Sequence, residues 1–109
     1  MTTYIQLLTL TPEGREKVLR NPESVLRAQD GVKISGIQVL GLYGVLGEYD
    51  FVSMVEAPDN EAIARYSLEL GVQAGVSITT LPAIPIARLE GRQYSPPLEA
   101  RLTETPPPK

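Results

Sequence analysis

The sequence predicts an α+β fold whose elements follow one another in the order β-α-β-β-α-β. Four segments are rich in β-branched, aromatic and leucine residues, as strands are. Two segments between them carry apolar residues at helical spacing and begin with capping residues. The second and third strands are joined by a short loop, whereas a helix separates each other consecutive pair. With right-handed crossovers, this order gives a ferredoxin-like sandwich, a four-stranded antiparallel sheet with two helices on one face.

The first part of the chain supplies a strand and a broken helix. The strand is predicted over residues 3–10, where strand formers follow one another without Gly or Pro. Residues 11–12 then begin a helix, with Thr as its cap and Pro at its first position. A second cap signal predicts that the helix breaks or bends at Pro22 and restarts. It could end at either Gly31 or Gly36.

The next two strands, predicted over residues 37–45 and 49–57, form a hairpin. Between them, Gly47-Glu48 suits a two-residue type II′ turn, in which the first central position favours glycine. Gly41 and Gly44 in the second strand indicate a bulge or a close approach of another backbone. These glycines do not predict a phosphate-binding loop, because they lie inside a hairpin and not between a strand and a helix.

A second helix and the fourth strand complete the domain. Residues 58–61 stop the third strand and cap the helix, which is predicted to end at Gly71. The fourth strand is predicted over residues 75–81 and is closed by prolines. We therefore predict one domain at residues 1–86.

The composition changes after this domain. Residues 95–109 hold five prolines and few apolar side chains, which is typical of a flexible, polyproline-like tail. The alternative is an arm that wraps a neighbouring subunit, anchored by Tyr94, Leu98 and Leu102. We therefore assign residues 87–109 to a Pro-rich C-terminal tail or arm.

Both faces of the predicted sheet are apolar. Alternation along the strands predicts that Tyr4, Leu8 and Leu10 oppose Ile5 and Leu7, that Ile37, Val39, Tyr43 and Val45 oppose Leu40, Leu42 and Leu46, and that Phe51 and Val55 oppose Val52 and Met54. Two helices can cover only one face. Burial of each such side chain is worth roughly 1.5–3 kcal/mol, so an exposed second face would forfeit about as much as the stability of a small domain. We therefore expect a second copy to cover it, giving a dimeric α+β barrel.

Composition excludes several kinds of site. The formal net charge is −3, whereas nucleic-acid-binding domains are normally basic. Cysteine and histidine are both absent, which removes the thiolate nucleophile, the commonest general base and the commonest transition-metal ligand. We expect no metal, no cofactor and no nucleic-acid partner. No signal peptide and no apolar run of the roughly 20 residues that span a bilayer is visible, so we expect a cytoplasmic protein without membrane contact.

The candidate functional residues lie around the hairpin. Asp50 falls in the third strand, where a short carboxylate is disfavoured because it competes for backbone hydrogen bonds. It could act as a general base or orient a ligand, with Tyr43 or Tyr49 as a hydrogen-bond donor. Alternatively, it could accept backbone N–H groups that hold the hairpin, with Tyr49 as a core aromatic. Neighbouring residues of a strand point to opposite faces, so Tyr49 and Asp50 cannot form a simple side-by-side pair.

Two motifs resemble the signature of the GYD domain family. One is Leu-Gly-x-Tyr-Asp at residues 46–50, and the other is Val-Glu-Ala-Pro-Asp at residues 55–59. The likeness extends over residues 3–84 and includes the helix opening Thr-Pro-Glu-Gly at residues 11–14. This resemblance implies a ferredoxin-like subunit that assembles into dimers or larger rings, and it favours Gly36 as the end of the first helix. It does not assign a biochemical function.

Two functions fit these observations. The first is a non-enzymatic oligomer that binds a small molecule or acts as a scaffold, using the cleft between sheet and helices or the junction between subunits. Its candidate ligand-binding residues are Tyr43, Gly47, Tyr49 and Asp50. The alternative is a cofactor-free enzyme of the dimeric-barrel type, an oxygenase or isomerase, with Asp50 as the base and Tyr43 or Tyr49 as the donor.

Overall fold

The computed structural model describes residues 1–89 and has the predicted α+β architecture. Its elements are β1 (Thr2–Leu10), α1 (Pro12–Arg20), α2 (Ser24–Gly31), β2 (Gln38–Gly44), β3 (Phe51–Ala57), α3 (Asn60–Ala74), β4 (Val76–Ala83) and α4 (Ile86–Leu89). The strands form one antiparallel sheet in the order β2-β3-β1-β4. The ferredoxin-like fold is therefore confirmed. The arm anchors Tyr94, Leu98 and Leu102 lie outside the described residues, and the domain boundary at residue 86 stays a prediction.

The first helical region begins and breaks where the sequence predicts. The side chain of Thr11 caps α1 by accepting the Gly14 N–H at 3.1 Å, and Pro12 occupies the first helical position. α1 ends and α2 begins on either side of Pro22, which confirms the break. No helix within residues 1–89 is long and apolar enough to cross a membrane.

α2 ends at Gly31, so the later end at Gly36, which the resemblance favours, is wrong. The Val32 N–H closes the last turn on the Gln29 carbonyl at 3.3 Å, and the chain then becomes extended. Gly36 lies in a later turn with φ +84°, where it packs against Pro58. A β-carbon at this position would lie 2.9 Å from the proline ring. The glycine is therefore explained by a tertiary contact and a left-handed turn, and not by a helix end.

The prediction that the second helix ends at Gly71 is also wrong. α3 continues to Ala74, and Gly75 caps it in the left-handed conformation with φ 74°. The Gly75 carbonyl accepts both the N–H and the hydroxyl of Thr11, at 2.9 and 3.0 Å. A β-carbon on Gly14 would lie only 2.0 Å from the same oxygen. The start of α1 and the end of α3 are therefore joined by a close backbone approach, and this contact fixes where α3 ends.

The core lies between the helices and one face of the sheet. Its buried apolar side chains are Tyr4, Leu8, Val25, Val55, Ala57, Ile63, Tyr66, Leu70, Ala74 and Val76. Within residues 1–89, no layer covers the opposite face, which we call the open face. It carries Ile5, Leu7, Tyr43, Val52, Met54 and Leu81. The alternation predicted for the first and third strands is therefore confirmed.

A bulge in β2 changes which side chains reach the open face. The pairing register shifts after Val39 and leaves Leu40 as the extra residue, which confirms the bulge predicted from the glycines. Beyond it, Tyr43 stands opposite Val52 on the open face, whereas Leu42 packs against the core. The predicted division of the second strand, with Tyr43 on the side of Val39, is wrong because the extra residue inverts the alternation.

The hairpin loop is longer than predicted. β2 and β3 stay paired only as far as Gly44 and Phe51, and beyond them the Val45 N–H donates to the Asp50 carbonyl at 3.0 Å. Residues 46–49 therefore form a four-residue loop, and the two-residue type II′ turn is wrong. Asp50, at the end of this loop, also bonds to β1 on its other side, as described next.

Candidate functional site

Asp50 is bonded to the main chain of β1. Its N–H donates to the Leu8 carbonyl at 2.9 Å, and one carboxylate oxygen accepts the Leu10 N–H at 2.8 Å. The last ladder pair between β1 and β3 joins Leu8 with Phe51. Beyond that pair, the carboxylate takes the place of a main-chain carbonyl and ties the hairpin to the neighbouring strand. This is the geometry that a structural role for Asp50 predicts.

The other candidate residues are dispersed around the hairpin. Tyr43 is 56% exposed, and its ring lies over Gly41, where a β-carbon would be 2.8 Å from the hydroxyl. Tyr49 is half-buried next to Asp50 in the chain. Gly47 is exposed in the loop with φ +117°, a conformation that favours glycine. None of these four residues lines either of the two spaces described below, and their ligand-binding role stays a prediction.

The open face carries two apolar rows that cross the sheet. One row aligns Leu81, Ile5 and Met54, and the other aligns Leu7, Val52 and Tyr43. Each row continues from strand to strand, so the apolar surface is contiguous and not a set of isolated side chains. A large contiguous apolar surface normally marks an interface.

A cavity of about 630 Å³ lies between α2, the connection that follows it, β2 and α3. We call it the Tyr66 cavity. Its polar lining consists of Gln29, Asp30, Lys33, Ser35 and Tyr66, and the rest of the lining is valine and isoleucine. Burial, and secondarily the Asp30 carboxylate, raise the pKa of the Tyr66 hydroxyl to about 12. The cavity therefore joins an apolar wall to a buried, neutral hydroxyl.

A second space of about 630 Å³ forms a groove between α3 and the edge strand β4. Its rim carries Leu68 and Val72, which are 74% and 81% exposed. Beneath it, the buried Gln6 amide donates to the hydroxyls of Ser67 and Thr80 at 2.7 and 3.1 Å. The groove is thus apolar outside, with a polar network that ties α3 to β1 and β4 below.

Neither space is lined by Tyr43, Gly47, Tyr49 or Asp50. Sequence reasoning missed Gln29 and Tyr66 as candidate site residues. Tyr66 shares one helix face with the buried Ile63 and Leu70, a spacing that is visible in the sequence. Whether its buried hydroxyl has a partner depends on neighbours that are distant in the chain. The part of the chain that the structure describes contains no group of three or more acidic side chains arranged to hold a metal ion.

A relative of known name covers most of the chain. A protein from Thermus thermophilus is 43% identical over 93 residues, which are 84% of this chain and 98% of that protein. It is described as a glutamine synthetase and cystathionine beta-lyase binding protein.

Solved structures share the fold. A crystal structure of a protein from T. thermophilus matches with a TM-score of 0.56 and 23% identity, over 78% of this chain and 95% of that chain. A feast or famine regulatory protein from M. tuberculosis, complexed with L-methionine, matches with a TM-score of 0.60 and 14% identity. That match covers 78% of this chain but 51% of the regulatory protein, so the chain spans about half its length. At these identities, the likeness shows the fold alone.

The GYD domain matches residues 4–91, which are most of the chain. The match includes both motifs that carry the resemblance, at residues 46–50 and 55–59. Together with the 43% identity to the T. thermophilus protein, it confirms the resemblance. This chain belongs to the GYD domain family.

Proposed function

We propose that this protein is an oligomeric binding protein that docks onto glutamine synthetase and cystathionine beta-lyase. The observation that carries the proposal is the 43% identity to a protein named for binding these two enzymes. The alignment covers 98% of that relative. The surfaces that the relative uses therefore lie within the region that the two chains share. The proposal includes the cytoplasmic location expected from the sequence.

Self-association through the open face is part of the proposal. The two apolar rows contain six large side chains, of which Tyr43, Leu81 and Met54 are 56%, 44% and 38% exposed and the other three are half-buried. Covering the apolar area that remains exposed would stabilise the pair of subunits by roughly 25 cal/mol for each Å². A second copy presents the same surface, and a two-fold axis lets each row contact its counterpart. This supports a homodimer as the minimum unit, in the form of the dimeric α+β barrel.

The outer side of α3 is the surface that we assign to the enzyme partner. Leu68 and Val72 lie one helical turn apart, and both are exposed at the rim of the groove. The helices and the open face lie on opposite sides of the sheet. A dimer formed through the open face therefore leaves α3 directed outward. An exposed apolar stripe at this spacing is typical of a helix that packs on a partner.

Co-elution with the enzymes tests this function. The protein is mixed with purified glutamine synthetase or cystathionine beta-lyase of its own organism and analysed by size-exclusion chromatography with light scattering. We expect it to co-elute with both enzymes. Leu68→Glu is expected to abolish co-elution while the homodimer persists.

Leu19→Glu is the matched control, because Leu19 is an 85% exposed leucine on α1. This variant is expected to co-elute like the native protein. If the native protein forms no complex with either enzyme at micromolar concentrations, the proposed function is wrong. If Leu19→Glu and Leu68→Glu behave alike, the assignment of the surface is wrong.

A small-molecule ligand between sheet and helices is the other part of the predicted binding role. The Tyr66 cavity supports this part, because the cavity lies between the sheet and the helices, where we predict that a ligand binds. The enzymatic alternative has no comparable support. Its proposed base, Asp50, accepts a main-chain N–H from Leu10 and lines neither of the two spaces.

A further inference from the structure

Two residues that line the Tyr66 cavity each have a buried polar atom without a hydrogen-bond partner among residues 1–89. These atoms are the hydroxyl of Tyr66, a residue that is 1% exposed, and Oε1 of Gln29. Oε1 of Gln6 and Oγ of Ser24 are also unpaired, but these two residues line neither the Tyr66 cavity nor the groove between α3 and β4. Buried polar groups in native proteins are nearly always paired, because an unpaired group loses its hydration without compensation. Two such groups on one cavity point to a ligand that supplies their partners.

Tyr4 provides a matched case in the same core. It is 2% exposed, and its hydroxyl donates to Oδ1 of Asn60. The fold thus pairs the hydroxyl of one buried tyrosine internally. The other, Tyr66, lines a cavity together with further polar residues, and its hydroxyl has no partner among residues 1–89. The difference lies in the immediate surroundings, since burial and residue type are the same.

The polar atoms of the cavity favour a hydrogen-bond donor. Gln29 Oε1 and the Asp30 carboxylate can only accept, and the Tyr66 hydroxyl oxygen can accept as well as donate. The Tyr66 hydroxyl is neutral at physiological pH, as a tyrosine of ordinary pKa also is, so Asp30 supplies the negative charge on this side of the cavity. A primary ammonium group brings three N–H donors and a positive charge. It therefore matches these three residues.

The remaining lining sets the rest of the ligand. Val32, Ile34 and Val39 provide an aliphatic wall, and Lys33 supplies an exposed cation. We propose that the Tyr66 cavity binds a small aliphatic primary amine. Two sources of such a group fit: a simple alkylamine, and an aliphatic α-amino acid whose carboxylate pairs with Lys33. A cavity of about 630 Å³ is within the range of small-molecule sites.

Three probes of similar aliphatic chain length test the proposal. The full-length ¹⁵N-labelled protein is titrated with L-norvaline, butylamine and pentanoate, and amide chemical shifts are followed. Both amines are expected to shift the amides of residues 29–39 and of Tyr66, whereas pentanoate leaves them unchanged. Tighter binding of L-norvaline identifies an amino acid as the source, and equal binding identifies an alkylamine. If neither amine shifts these amides, or if pentanoate binds equally well, the proposal is wrong.

A pair of variants separates the site from general stability. Tyr66→Phe is expected to weaken amine binding about tenfold by removing one hydrogen bond. It should also raise the melting temperature of the free protein, because it removes an unpaired buried group. Tyr4→Phe should lower the melting temperature, because Asn60 loses its partner, while amine binding stays unchanged. Native amine affinity in Tyr66→Phe would overturn the proposal.

This inference deepens the small-molecule part of the proposed function and does not depend on the enzyme partners. Co-elution reports docking through Leu68, whereas the titration reports the Tyr66 cavity. Shifts without co-elution would leave the amine site standing and remove the enzyme partner. Co-elution without shifts would do the reverse.

Discussion

The two faces of the sheet are built from the same strands but differ in what covers them. On the helix side, Tyr4, Leu8 and Val55 are at most 2% exposed. On the open face, Met54 and Leu81 are 38% and 44% exposed, although Met54 stands between the buried residues Ser53 and Val55 in the chain. Alternation alone puts apolar side chains on both faces. The chain's own helices bury only one of them, so the other supports the proposed interface between copies.

The face of the sheet that the helices cover is not the more apolar of the two. The covered face includes Gln6 and Ser53, which are fully buried. The Gln6 amide nitrogen donates to the hydroxyls of Ser67 and Thr80, whereas its Oε1 has no partner among residues 1–89, and the Ser53 hydroxyl donates to the Gly41 carbonyl. The two rows of the open face carry apolar side chains on the strands they align, and Thr79 continues the second row on β4. Polar groups on the covered face thus have partners on α3 and on neighbouring strands. A surface that must match an identical copy is better served by apolar contact, which requires no exact pairing of donors and acceptors.

A charge on the open face should give the largest effect. Met54→Lys places an ammonium group in the row between Ile5 and the second strand, where the proposed dimer would have to bury it. We expect an aggregated or unfolded chain in place of the native oligomer, measured by light scattering and circular dichroism. Leu19→Lys, on the exposed side of α1, is the control and should behave as the native protein. A stable folded monomer at micromolar concentration, for either the native protein or Met54→Lys, would contradict an obligate dimer.

A cavity on the covered face should give the next largest effect. Leu8 is fully buried beneath the helices, so Leu8→Ala is expected to lower the free energy of unfolding by about 2–5 kcal/mol. Urea denaturation measures this loss. Because the change lies on the helix side, the oligomeric state should persist under native conditions. If Leu8→Ala dissociated the folded oligomer without loss of subunit stability, the two faces would not be independent.

Sequence reasoning reached those features that depend on local signals. Element order follows from capping residues such as Thr11 and from strand composition, and both act within a few residues. Three features depend on contacts between distant segments: the length of the hairpin loop, the position of Tyr43 on the open face, and the end of α3. Asp50 reaches β1, Leu40 bulges against β3, and Gly75 meets the start of α1. The Tyr66 cavity could not be predicted for the same reason, because the spacing of residues does not show whether a buried hydroxyl has a hydrogen-bond partner.

Raising the pH into the alkaline range should reduce stability by an intermediate amount. This effect depends on Tyr66, which is buried on the helix side of the sheet. The pKa of Tyr66 is about 12 in the folded protein and has an ordinary value of 10.0. Since the unfolded chain releases this proton first, the contribution is fully present below pH 10 and is lost as the pH rises from 10 to 12. The loss is about 1.4 kcal/mol for each pH unit in that window.

Urea denaturation at pH values below and within this window measures the effect. Tyr66→Phe should lose less stability than the native protein across the window. Tyr43→Phe, which changes a tyrosine of the open face, should retain the native alkaline loss, because Tyr66 is still present. Equal pH profiles for the native protein and Tyr66→Phe would contradict the assignment of this loss to Tyr66.

The smallest effect is expected at Asp50, at the end of the sheet. Asp50→Asn keeps an oxygen that can accept the Leu10 N–H but removes the negative charge, so we expect a loss of about 1 kcal/mol in the free energy of unfolding. Asp50→Ala leaves that N–H without its acceptor and should cost more, about 1–3 kcal/mol. Urea denaturation compares the two variants, and co-elution with glutamine synthetase should be unchanged in Asp50→Asn. If Asp50 forms a structural hydrogen bond, Asp50→Ala should destabilise the protein more than Asp50→Asn does. If Asp50 were a general base, its role would depend on the carboxylate itself. Both variants would abolish activity equally while the free energy of unfolding changed little. That outcome would support the enzymatic alternative.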